Sequence, residues 1–104
     1  VKPYTFHPEA SGEYTQAAEY YAAISSGLGG RFYDEIERLI TEVRRQPDRF
    51  FQFSPPARRA LAHKFPYPVV YLDEPDRVWI VAVMHAKRRP GCWRERMSLG
   101  LGEA

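Results

Sequence analysis

A chain of 104 residues, 44% of them apolar and 14% aromatic, has material for one hydrophobic core and not for two. That balance excludes a disordered chain, and no run approaches the roughly 18 apolar residues that a membrane span needs. The net charge is only +2, but it is unevenly spread. Residues 1–53 hold six cations against eight anions, and residues 54–104 hold nine against five. The basic second half is suited to attract an acidic protein or a nucleic acid.

One cysteine, Cys92, excludes an internal disulfide and a cysteine-based zinc site, and it fits a reducing compartment. Its alternatives are a reactive thiol beside cations or an incidental small residue. The first residues, VKPYTFHPEA, contain no apolar signal core, so a cytoplasmic location is expected. A single domain over 1–104 is expected, with 98–104 as a fraying tail.

In chain order, YTF at 4–6 reads as a short strand. Pro8 and Glu9 then suit the first turn of a helix, where a missing N–H costs nothing and a carboxylate meets the positive end of the dipole. Ala10, Tyr14, Ala17, Tyr21 and Ile24 recur at helical spacing and define one apolar face. SSGLGG at 25–30 breaks that pattern and reads as a glycine-rich link. Leu28, Phe32, Ile36, Leu39, Ile40 and Val43 define a second amphipathic helix, which Pro47 stops. Its DEIERLITEVRR charges read as a solvated face, with Glu37 and Arg38 placed for helical pairing.

RFFQFSPP follows as a loop anchored by Phe50, Phe51 and Phe53. ALAHKF, PVVYL and VWIVAVMH are then short, rich in β-branched and aromatic residues, and separated by turns. DEPDR at 73–77 joins the last two as a hairpin. Simple alternation in the last strand puts Val78, Ile80, Ala82 and Met84 on one face and Trp79, Val81 and Val83 on the other. A strand apolar on both faces belongs inside its sheet. The expected fold is α+β, with an N-terminal strand and an αα-hairpin packed on a small, mainly antiparallel sheet. That last strand runs into HAKRRPGCW at 85–93, which is either an ordinary solvated exit or a platform for something anionic.

HPEA, AAEYY, LGGRFYDEI, RRALAHKFPYPVVY and VWIVAVMHAKRRPGCW, in this order, resemble the RelE/ParE superfamily of type II toxins over about residues 4–93. The resemblance implies one of two activities on one fold. RelE-like members cut mRNA on the ribosome, whereas ParE-like members poison DNA gyrase. Both are neutralised by a cognate antitoxin. The implied partners are therefore an antitoxin and either gyrase or the ribosome with mRNA, with no membrane partner, cofactor or metal. A non-toxic remnant that still binds antitoxin is the third alternative.

Metal-free RNA cleavage needs a base, an acid and a cation to stabilise the phosphorane. On that reading the catalytic candidates are Arg59, His63, His85 and Arg88. Arg59 and His63 are an even number of residues apart, so they share a face if the second strand is regular. Arg58, Lys64, Lys87, Arg89 and Trp93 are candidates for contact with the target or nucleic acid. Arg58 and Arg59 equally suit protection of an edge strand, and His63 equally suits a packing role. Two departures favour the ParE-like branch. Pro68 stands where the ribonuclease branch commonly has an arginine, and Trp93 stands where it usually ends in a catalytic tyrosine. An indole neither accepts nor delivers a proton near neutral pH. Tyr67 and Tyr71 are the tyrosines that could replace it, although such residues are commonly packed.

Overall fold

The computed structural model describes residues 1–88 and 91–97. Strand β1 (Tyr4–Phe6) is followed by helices α1 (Pro8–Ile24) and α2 (Ser26–Arg45). Strands β2 (Arg58–Leu61), β3 (Pro68–Asp73) and β4 (Val78–Val83) complete the order. The sheet runs β1-β4-β3-β2, with β1 parallel to β4 and the other pairs antiparallel. This is the expected α+β arrangement, and β4 is interior as its apolar faces require. Among the described residues no helix is long and apolar enough to cross a membrane.

His7 caps α1, its Nδ1 accepting from the Glu9 N–H at 3.0 Å, and Pro8 follows in the first turn. The apolar face of α1 is made mostly of small residues. Ala10 and Ala17 are buried, whereas Ile24 is 60% exposed and does not join them. Tyr14 and Tyr21 reach across to Phe32, and Phe65 and Tyr67 complete this aromatic cluster.

The glycine-rich link expected at 25–30 does not exist. Ser25 alone separates the helices, and its hydroxyl caps α2 by accepting from the Leu28 N–H at 3.0 Å. The glycines belong to the first turns of α2. Gly29 lies against α1, where a Cβ would fall 2.7 Å from the Ala22 Cβ. The glycines therefore serve close helix packing here, not chain reversal. The buried residues Phe32, Ile36, Leu39, Ile40 and Val43 then press α2 onto Val69, Tyr71, Val78, Ile80 and Val83. Its charges divide: Arg38 bonds Glu35 and Glu42, whereas Glu37 accepts from the buried side of the hairpin, the Tyr14 hydroxyl, at 2.8 Å.

The alternation expected along β4 fails at Val81. Val70 pairs with Ala82 and Tyr71 with Ile80, so β4 carries one residue more than β3 at this point. Such a bulge shifts the side-chain phase. Val78 and Ile80 face the helices, Val81 and Ala82 both face away, and Val83 returns to the helix side. Ala57, Val70, Leu72, Trp79 and Met84 complete the second apolar layer, which Phe53 and the segment 91–97 cover.

Candidate functional site

Beyond β4 the chain turns sharply. The Ala86 N–H donates to the Pro66 carbonyl at 2.7 Å and the Arg88 N–H to the His85 carbonyl at 2.9 Å. The Lys87 N–H donates to His85 Nδ1 at 3.0 Å. In a neutral imidazole that bond places the proton on Nε2, because Nδ1 is the acceptor. The ring lies edge-on to Tyr67, with centroids 5.4 Å apart.

On the sheet face turned from the helices, Arg59, Val70 and Ala82 sit across from one another on β2, β3 and β4. The Arg59 guanidinium rests over Phe53, 5.0 Å from the ring centre. From there a groove of about 280 Å³ opens between Arg59, Pro68, Met84, His85, Arg88, Trp93 and Arg94. Its described lining holds three arginines and no carboxylate. Three guanidinium groups around a concavity with no described carboxylate have the chemistry to hold an anion. Arg88 also borders two further hollows along α1, one beside Tyr20 and Tyr67 and one beside Glu9, Glu13 and Arg96.

Of the residues singled out in the sequence, Arg59, His85, Arg88 and Trp93 therefore converge. His63 and Lys64 do not. β2 ends at Leu61, so the face-sharing expected of Arg59 and His63 is lost in the turn that follows. His63 instead donates its backbone N–H to Glu35 at 2.6 Å. With Lys64, Arg31, Asp34 and Arg38 it lines a separate groove of about 470 Å³ beside α2. Arg58 is turned to the loop that precedes it, where it donates to the Asp48 and Phe50 carbonyls at 3.1 and 2.8 Å. Lys87 is exposed, and Arg89 lies outside the described residues. Trp93 is buried, 5.4 Å from Phe53, so it supplies a wall and not an open stacking surface.

Burial raises both tyrosines considered as a replacement acid or base. Tyr71 is fully buried and donates to the Pro47 carbonyl at 2.5 Å, and burial pushes its pKa far up. Tyr67 is raised too, chiefly by burial. Cys92 packs its sulfur 3.2 Å from that of Met84. Among the described residues no group of three metal-ligating side chains occurs.

Sequence reasoning missed Arg94 and the pair Glu13–Arg96. Arg94 reaches Ser54 at 3.1 Å across the groove mouth. Arg96 grips Glu13 with two bonds of 2.9 and 2.6 Å. Nothing local signals that pair, since 83 positions separate its members.

The model of the family described as "ParE toxin of type II toxin-antitoxin system, parDE" matches residues 4–90. The chain belongs to the ParE toxin family. It is accordingly a toxin of a type II toxin–antitoxin system, in the RelE/ParE superfamily that its motifs resemble. No curated protein matched it in a sequence comparison. The family match takes in Arg59, His85 and Arg88, whereas Trp93, Arg94 and Arg96 lie beyond it. The ParE frame thus covers the strand end and two arginines of the groove, and the C-terminal wall is built from residues outside the match.

Proposed function

We propose that this ParE-family chain arrests growth by binding DNA gyrase, with the arginine groove as its principal contact, and that a cognate antitoxin neutralises it. The observation that carries this reading is the make-up of the groove. Arg59, Arg88 and Arg94 supply anion recognition, and His85 is the one side chain of the described lining with a lone pair that could take up a proton. His85 has its one neutral lone pair engaged by the Lys87 N–H. Such a site binds and orients an acidic surface or phosphate without accepting a proton from a 2′-hydroxyl. Pro68 in the groove floor adds neither charge nor a backbone donor. The antitoxin is expected to present acidic side chains to the same basic region.

One observation favours the ribonuclease alternative: Arg59, His85 and Arg88 do share one groove. Two assays on the purified chain separate the readings. Gyrase supercoiling should be inhibited, and a transcript on translating ribosomes should show no new ends by primer extension. New transcript ends with unimpaired gyrase would overturn the proposal.

A further inference from the structure

Beyond Phe6, strand β1 stops and leaves the edge of β4 open. There the Val81 carbonyl and the Val83 N–H lack a neighbouring strand. The Arg96 guanidinium donates to Val81 O at 2.8 Å, and the Glu13 carboxylate accepts from Val83 N at 3.1 Å. The two side chains also bond each other in bidentate fashion, and their exposures are only 8% and 12%. Acid from α1 and base from the C-terminal segment thus occupy the place of a missing strand.

Stability alone does not explain that arrangement. Water would satisfy two edge groups, and burying an ion pair costs much of what the pair returns. What a buried, fully bonded pair does supply is register, because each partner is costly to misplace. Here the register is that of the segment 91–97. Trp93 and Arg94, three and two residues before Arg96, wall the arginine groove.

We infer that Glu13 and Arg96 form a latch that holds the C-terminal segment against the sheet and so positions Trp93 and Arg94 for target binding. The target-binding part rests on the proposed role of the arginine groove. Without the latch, the helix-side core keeps all its members, whereas the second apolar layer loses Trp93 as a cover. Arg96 and Glu13 act through that wall and touch no target themselves.

The test uses the full chain in two variants, Arg96→Met and the milder Glu13→Gln, which keeps an acceptor for the Val83 N–H. The two tryptophans report separately in an amide–indole NMR spectrum. The Trp93 indole should shift towards its free position while Trp79 stays in place. Growth inhibition on induction should fall at least about ten-fold, as expected for one decade of lost target affinity. The inference is overturned if Trp93 stays in place in both variants. It is also overturned if both indoles move together in both, since the pair would then hold the whole fold. Trp93 released with undiminished toxicity would overturn it as well. An Arg88→Ala chain that remains fully toxic with Trp93 in place would instead sink the groove reading, because the indole signals report the latch without it.

Discussion

Gly29 shows how much one hydrogen atom can decide. A Cβ there would meet the Ala22 Cβ at 2.7 Å and its Cα and N at 2.8 and 3.0 Å. Two of these three atoms are backbone, so the helices themselves must separate. Gly29→Ala should therefore destabilise the fold by about 1–3 kcal/mol, as overpacking commonly does. Gly30 is the control. A Cβ there meets nothing within 4 Å, so Gly30→Ala should be neutral or stabilising by up to about 1 kcal/mol through helix propensity. Urea midpoints of the two variants would check this, and equal midpoints would refute the packing role. The sequence marks these glycines as special but not why. Glycine serves a turn and a close approach alike, and only the facing helix distinguishes them.

At the scale of elements, the periodic segments were readable because burial on one face imposes a local rhythm. The helices, the interior position of β4 and the hairpin at 73–77 follow from that rhythm alone. What failed was set by neighbours. The bulge at Val81 depends on pairing with β3, so no pattern within VWIVAVMH reveals it. The early end of β2 at Leu61 likewise removed His63 from the groove. It placed the His63 N–H on Glu35, tying the turn after β2 to α2. The Arg38 bond, with help from that N–H, holds the Glu35 carboxyl below the usual carboxylate range. A lowered folded pKa means stability that is present above the ordinary carboxylate value. It is lost as pH falls through the lowered one. Glu35→Gln should therefore reduce the urea midpoint near neutral pH, and the gap to wild type should narrow as pH falls below the ordinary carboxylate range. A gap of constant size across that range would contradict the linkage.

Across the whole molecule, the sheet separates two apolar layers with different histories in the sequence. The helix-side layer is continuous with the amphipathic faces of α2 and was legible from them. The opposite layer depends on Phe53, Trp93 and the segment 91–97, drawn from distant parts of the chain. Its charged clasp is invisible to any local pattern. The candidate site sits where that second layer meets the end of β4. This explains why Arg59, His85 and Arg88 were found from sequence, whereas Arg94 and the Glu13–Arg96 pair were not. It also separates the two grooves by chemistry. The one beside α2 mixes Asp34 and Glu35 with its cations, whereas the one at the strand end has arginines without a described carboxylate. The central claim is that the second of these is where the toxin acts. Its most direct test is growth on induction of the Arg59→Ala/Arg88→Ala chain, with the fold verified by circular dichroism. Removal of the two arginines should abolish growth arrest while leaving the fold intact. Arrest as strong as that of the unaltered chain would contradict the account.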